Sequence, residues 1–412
     1  MKKSIFLIKI TLLLTSTVFA QNVNQFGIDF TGFVKTDVIY DTRQTVNLRE
    51  GHFLLHPANY RYDVLGNDLN AHPSFNILSI QTRVGAKLSA PKTFEAKTSG
   101  FIEAEFFGTS DGDVNGLRLR HAFVKLDWES ASLLVGQTWH PMFVTDVFPG
   151  VVSFNTGAPF QPFSRNPQIR FTKSIGEFSL MAAAASQRDF QSFGDNAGKP
   201  AQSSIYLRNS VIPNFHAQAM LKSKGFVFGV GVDYKILRPR LETDRKFETD
   251  ESIKSIALHC FGKFKIDDFT FKSQAVYGEN LADLMMLGGY GISSIDAATD
   301  KAVYSPVSSL TGWLDAAYGK DIEFGLFLGY SKNLGAKEIL VSKTFYSRGS
   351  DIDFTYRISP RIQYNAGKLR LAAELEHTAA SYGTPDEKQK GKVFNTQLVS
   401  NTRFLTAVFL FF

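Results

Sequence analysis

Asp351-Ile-Asp-Phe-Thr-Tyr-Arg-Ile-Ser-Pro-Arg-Ile-Gln-Tyr-Asn365 alternates residue by residue. Ile352, Phe354, Tyr356, Ile358, Ile362 and Tyr364 fall on one side. Asp353, Thr355, Arg357, Ser359, Arg361, Gln363 and Asn365 fall on the other. Successive side chains of an extended chain point to opposite faces, so this is a β-strand with one apolar and one charged face. The rows Phe226, Phe228, Val230, Val232, Tyr234 and Ile322, Phe324, Leu326, Leu328, Tyr330 repeat the pattern.

The same period appears sixteen times along the chain. The segments are 26–40, 76–90, 98–108, 116–128, 132–139, 165–174, 178–188 and 211–222, then 226–237, 252–264, 269–279, 306–318, 322–331, 351–364, 369–378 and 396–412. Odd-numbered connections run from 7 to 35 residues, and even-numbered ones from 3 to 7. A sandwich or propeller has no reason to gather its long loops at one end. A transmembrane barrel does, with short periplasmic turns, long outer loops and an even strand count. Lipid offers no hydrogen bonds to the backbone, so a spanning sheet must close on itself and turn apolar side chains outward. Charges on the inward face then require a wet interior, because a dry one would impose a high desolvation cost. The expected fold is an all-β, transmembrane antiparallel barrel of about sixteen strands.

Composition agrees with that class. The chain has 412 residues, of which 44% are hydrophobic and 20% charged. Its longest apolar run, Ile5–Ala20, is short for a spanning helix of about 20 residues. Met1-Lys2-Lys3, the apolar stretch Ile10–Phe19 and Ala20 before Gln21 read as a signal peptide over residues 1–20, leaving the barrel as 21–412. Its removal takes away three lysines and lowers the net charge from +6 to +3. The mature chain is mildly basic and has no lysine–arginine run that would point to nucleic acid. The lone Cys260 excludes an intrachain disulfide framework, and it falls on an outward row with Ile256, Leu258 and Phe264.

Projecting the alternation inward places Arg83, Lys87, Arg118, Arg120, Arg170, Lys222, Lys263, Lys272, Arg357, Arg361 and Arg370 in the lumen. Glu103, Glu105, Asp315, Asp353, Glu374 and Glu376 share that face. Arg83 and Lys87 on one strand, Glu103 and Glu105 on the next, and Arg118 and Arg120 on the third form two basic rows around an acidic one. Such rows would set a field across the water they enclose and orient polar solutes. The plainer reading is that these charges satisfy one another and keep the channel wet.

The connection 140–164 holds five phenylalanines, Phe143, Phe148, Phe154, Phe160 and Phe163, and a single charge, Asp146. An exposed outer loop would not be so apolar. Folded into the barrel it would bury those rings and narrow the pore, with Phe143, Asp146, Phe148 and Phe154 at the constriction. The alternative is an external hydrophobic loop used in oligomer packing or adhesion. The apolar connection 280–305 is a second candidate for an inward or interface segment.

Three stretches carry a resemblance: Leu117-Arg-Leu-Arg-His-Ala-Phe-Val-Lys-Leu126, Leu134-Val-Gly-Gln-Thr-Trp139 and Arg165-Asn-Pro-Gln-Ile-Arg-Phe171. They resemble the DcaP-like porins of Gram-negative outer membranes over about 60 residues, the rest of the chain being similar by pattern. The resemblance implies a sixteen-stranded, trimeric diffusion channel in the cell outer membrane. It further implies a basic eyelet favouring small anionic solutes such as dicarboxylates, with Arg118, Arg120 and Arg170 as lumen arginines. The terminal Arg403-Phe-Leu-Thr-Ala-Val-Phe-Leu-Phe-Phe412 resembles the end signature read by the barrel assembly machinery. One departure is at the start, where the five residues between Ala20 and Phe26 leave no room for a periplasmic N-terminal helix.

Enzyme and metal readings find little support. None of the eight histidines has a neighbouring serine in a recognisable nucleophile arrangement. His52-Phe-Leu-Leu-His56 has ligand spacing only if helical, and it lies in a long loop. Asp111-Gly-Asp-Val-Asn-Gly116 matches the opening of a calcium loop, but the twelfth position is Ala122 where a bidentate Glu is required. A tight Asp/Asn/Gly turn is the better reading. The expectation is therefore a porin for small hydrophilic solutes, embedded in outer-membrane lipid, with no cofactor, metal or nucleic acid. Its rivals are a plugged barrel acting in adhesion or partner binding through its long loops, and a barrel hydrolase.

Overall fold

The computed structural model describes residues 26–196 and 198–412, so the expected leader lies outside the described residues. Sixteen antiparallel strands follow one another in chain order around a single sheet. They are β1 (Gly27–Asp41), β2 in two pieces (Ser74–Leu78 and Arg83–Thr93), β3 (Ala96–Glu105), β4 (Arg118–Asp127), β5 (Ala131–Trp139), β6 (Arg165–Ile175), β7 (Phe178–Ala185) and β8 (Asn214–Ser223). The second half comprises β9 (Phe226–Leu237), β10 (Ile253–Ile266), β11 (Phe269–Glu279), β12 (Ala302–Gly319), β13 (Ile322–Ala336), β14 (Ile352–Ala366), β15 (Leu369–Asp386) and β16 (Lys392–Phe411). β16 returns to β1 in a register running from Phe33 opposite Phe411 to Asp41 opposite Arg403, which closes the barrel.

The alternation read from the sequence is the alternation of the wall. Along β14, Thr355, Arg357, Ser359, Arg361 and Gln363 are buried, while Ile358, Ile362 and Tyr364 are exposed on the outside. The row from Ile322 and Phe226, Phe228 and Val230 are exposed in the same sense, and so is Cys260. For a spanning barrel this outer apolar band is the surface that lipid covers.

Three boundaries differ from expectation, each for a local reason. The segment read as 76–90 breaks at 79–82, where Ile80 and Gln81 are both buried. There the Lys35 amide donates to Thr82 Oγ1 (3.2 Å) instead of to a ladder carbonyl, so a side chain replaces a backbone partner. The gap read as 91–97 contracts to a two-residue turn at Phe94 and Glu95, both with left-handed φ (51° and 61°). Neither is the glycine or asparagine that such a turn usually announces, which hid it from a sequence reading. At the other end β15 and β16 run far beyond 378 and 396, and the long last loop becomes a tall hairpin turned at Glu387–Gln389.

The even connections are all two or three residues long, and the long ones all lie at the opposite end. Several long connections carry structure of their own. Thr45–Leu48 pairs with Phe53–Pro57 as a hairpin, and Gly288–Ile295 extends the sheet by pairing with β12 and with Phe345–Arg348. The main buried apolar cluster is assembled by these loops inside the wall. It joins Phe53 and Leu55 of the first connection, Phe143, Val152, Phe154 and Phe163 of the fifth, Met285 of the eleventh, and Ile39, Leu405 and Phe409 of the wall.

Candidate functional site

The connection 140–164 leaves the barrel wall at β5 and re-enters it at β6, yet its middle is bonded to strands half a turn away. The Gly150 amide donates to Asp315 Oδ2 on β12 (2.8 Å), and the Val152 and Ser153 amides donate to Glu374 on β15. Lys35 Nζ on β1 donates to the Val152 carbonyl (2.9 Å), and Arg357 Nη1 on β14 to the Ala158 carbonyl (2.9 Å). The segment therefore crosses the lumen and docks on the far wall. Gly150 permits that approach, because a Cβ there would meet Arg361 Nη2 at 2.7 Å. Phe160 similarly lies flat against the wall at Gly329, where a Cβ would stand 2.4 Å from its ring.

The inward charges gather into two networks on opposite sides of this crossing. On the β2–β6 side Glu105 is fully buried and is the hub. Arg83 Nε donates to it at 3.0 Å, Arg120 Nη1 at 2.7 Å, and Arg118 Nη2 also donates to it. Arg165 Nη1 lies 3.6 Å away. Glu103 accepts from Arg120 Nε, and Asp189 accepts from Arg118 and Arg165. Four guanidinium groups thus surround three carboxylates, an excess of one positive charge. Burial pushes the Asp189 carboxyl up, but Arg165 and Arg118 outweigh it and hold the group below its ordinary value.

The second network lines β12–β16 and β1. Arg361 makes a two-pronged contact with Asp315 (3.0 Å to each oxygen), and Arg403 does the same with Asp41 (3.0 and 2.7 Å). Arg357 Nη1 lies 3.4 Å from Glu376, and Lys35 and His52 both contact Asp37 at 2.9 Å. Buried charges this numerous are tolerable only in such paired, geometrically specific arrangements. Arg357 also donates to the Leu54 and Leu55 carbonyls, so one side chain ties the wall to both inward loops.

Between the crossing segment and the short-turn end of the barrel lies a cavity of about 370 Å³. Arg83, Glu103, Arg120 and Arg370 reach it, as do the rings of Trp139, Phe143 and Phe148 and the backbone of Gly150–Ser153. Of the expected constriction residues, Phe148 is 38% exposed at this cavity and Phe143 stacks on Trp139 at 3.8 Å. Phe154 is buried against Phe107, His52 and Phe53, away from the cavity. Asp146 faces β8 instead and pairs with Lys222 at 2.6 Å.

The remaining inward residues disperse. Arg170 stands apart from Arg118 and Arg120, donating to the Trp139 carbonyl (2.7 Å) and to Gln168. Lys87 is exposed near the short-turn end, Lys263 faces Lys272 across the ladder, and Lys272 Nζ donates to the Phe148 carbonyl (3.1 Å). Asp353 pairs with Lys332. His140, His216 and His259 cluster around Asp233, with His140 Nε2 3.4 Å and His216 Nδ1 3.2 Å from its carboxylate. Among the described residues no group of three or more His, Cys, Asp or Glu side chains is arranged to hold a metal ion. His52 lies at the tip of the inward hairpin and His56 in its second strand, and Asp111 accepts the Arg49 amide, so neither motif forms a ligand set.

Sequence reasoning missed Arg165, Asp189, Lys35, Asp37, Asp41 and Arg403. Lys35, Asp37, Asp41 and Arg403 obey the same alternation as those it found, whereas Arg165, at the start of β6, has the parity of the outward Ile169 and Phe171 and is buried against the period. Asp189 sits in a loop, where no periodicity marks it. The entry of the first connection into the lumen had no long apolar run to announce it, since Phe53-Leu54-Leu55 is its longest hydrophobic run.

Residues 15–197 match the model of the DcaP outer membrane protein family. The first part of this chain is thus similar to the DcaP outer membrane proteins. The fold agrees: the crystal structure of the outer membrane channel DcaP of Acinetobacter baumannii superposes with a TM-score of 0.68 at 16% identity, covering 94% of this chain and 97% of that one. OmpT of Vibrio cholerae follows with a TM-score of 0.55 at 10% identity over 94% and 98%. OmpF of Salmonella typhi gives 0.52 at 13% identity over 93% and 97%. No curated protein matches the chain. At these identities the solved structures speak to the fold alone, and the DcaP-like family match adds the outer membrane as its location.

Proposed function

We propose that this DcaP-like barrel is a passive diffusion channel for small hydrophilic solutes, with a mild preference for anions, dicarboxylates among them. The observation that carries this reading is the segment 140–164 held across the lumen by wall charges, with an arginine-rich cavity beneath it. Arg83, Arg120 and Arg370 face that cavity against the single carboxylate Glu103. An anion passing the segment meets several weak partners in turn, so it can leave as readily as it enters. No bond is made or broken. Arg118 acts on the path through Glu105, and Arg357 and Arg361 act through the loops they hold. The protein would be exported by its leader, inserted by the barrel assembly machinery and seated in lipid as a homotrimer, the last in line with the trimer form of OmpT from Vibrio cholerae.

Reconstituted liposomes should swell in isotonic succinate faster than in a neutral sugar of similar size, and swelling should slow as solute size grows. Equal rates for the two would remove the anion preference. No swelling with protein that is folded by its heat-modifiable gel mobility would remove the channel. One observation favours the plugged alternative: the hairpin Thr45–Pro57 is buried from His52 to His56 against the crossing segment. Deleting it in the same assay separates the readings, since only a plugged barrel would begin to swell when it is removed.

A further inference from the structure

A wet lumen should be polar, yet the short-turn end of this one carries inward phenylalanines. Phe33 on β1 and Phe409 and Phe411 on β16 meet where the barrel closes. Phe33 lies edge-on to Phe409 and to Phe411 at 5.8 Å each, and Phe409 stacks on Phe411 at 5.6 Å. All three reach the cavity beneath the crossing segment, opposite Phe148. Lipid cannot explain them, because they share the inward side with Lys35, Asp37 and Arg403. The fold uses Phe409, which is buried in the main apolar cluster, while Phe33 and Phe411 are only partly buried against it and keep ring surface open to the cavity.

Arginine sits on these rings. The Arg370 guanidinium stands 5.3 Å from the Phe411 centroid and 5.8 Å from that of Phe409, and the Arg83 guanidinium lies 5.2 Å from Phe33. Arg83 is engaged with Glu105, but Arg370 is not so engaged. Its Nε donates to Asn365 Oδ1 (2.7 Å), and no carboxylate among the described residues is within ion-pair distance of it. The cavity therefore offers one uncommitted guanidinium beside a three-ring apolar shelf, in a volume within the roughly 300–1,000 Å³ of small-molecule sites.

We propose that this vestibule is a binding site for aromatic carboxylates, the carboxylate on Arg370 and the ring on Phe33, Phe409 and Phe411. A short aliphatic dicarboxylate would meet the arginine and leave the shelf wet. A benzoate-like anion satisfies both, since ring edges and faces attract as well as hide apolar area, and a planar guanidinium matches a carboxylate with two parallel hydrogen bonds. The proposal rests on the lumen being a solute path and narrows what that path prefers.

The test is calorimetric titration of the folded full-length protein in detergent with benzoate and, separately, with succinate. It reads binding whether or not the barrel conducts, so its failure is distinct from failure of the channel reading in bilayers. Benzoate should bind more tightly than succinate, and Arg370→Gln should weaken both. Phe33→Leu and Phe409→Leu should each weaken benzoate about two- to tenfold and leave succinate unchanged. Folding of each variant is checked by its gel mobility, and the leucine variants keep the shelf apolar so that a general loss of packing is not mistaken for a lost ring. Equal affinity for the two anions, no benzoate binding at millimolar concentration, or leucine variants that bind benzoate like the parent protein would overturn the proposal.

Discussion

Deleting Val147–Asn155 should raise single-channel conductance roughly two- to threefold, because it removes the part of the chain that crosses the lumen. That stretch contributes the Gly150, Val152 and Ser153 amides bonded to Asp315 and Glu374, and the Val152 carbonyl bonded to Lys35. None of these bonds is part of the barrel ladder, so the wall should survive. A second variant separates widening from collapse. Asp315→Asn with Glu374→Gln keeps the loop and its length but removes the charge from two of its anchors, and should give noisy conductance between a low and a higher level. Unchanged conductance in both variants would mean that the segment does not set the width of the path.

The second large effect concerns Glu105. This carboxylate is fully buried and lies within reach of Arg83, Arg118, Arg120 and Arg165. Glu105→Gln leaves four guanidinium groups facing only Glu103 and Asp189. Breaking one member of a buried charge network costs about 3 kcal/mol or more, chiefly from the charges left uncompensated. The variant should unfold at lower urea concentration than the parent protein, and its open pore should select more strongly for chloride. Glu105→Asp should fall between. Parent-like selectivity in Glu105→Gln would show that the network serves the wall alone and that ions do not sense it.

The barrel was legible because one physical rule, lipid outside and water inside, is written into every strand at period two. The row from Asp351 to Asn365 already contains it, and the inward position of Arg357 and Arg361 follows from it directly. What the rule does not encode is distance. It placed Arg118, Arg120 and Arg170 on inward rows, but only the wound sheet shows that Arg170 turns to the Trp139 carbonyl while Arg118 and Arg120 share Glu105. A bulge of the β3–β4 ladder, with the register shifting between Glu103 and Ala104, adds His121 to the inward side; no alternation could foresee it.

Loops follow another logic. The apolar character of 140–164 pointed inward because five phenylalanines need cover. The first connection gives a weaker signal, since its burial rests on the short run Phe53–Leu55 together with polar contacts such as His52 with Asp37 and Arg357 with the Leu54 carbonyl. The inward Phe409 and Phe411 were hidden by their surroundings. They belong to a C-terminal run so apolar that it reads as an insertion signature on both faces, and only the register with Phe33 shows which face each ring takes.

The central claim, an open and mildly anion-preferring path past the crossing segment, is tested most directly by single-channel recording of the purified protein across an approximately tenfold KCl gradient. Stable conductance steps with a zero-current potential displaced toward the chloride equilibrium potential are the predicted result. A displacement toward the potassium potential would contradict the role given to Arg83, Arg120 and Arg370. No steps at all from folded protein would contradict the path itself.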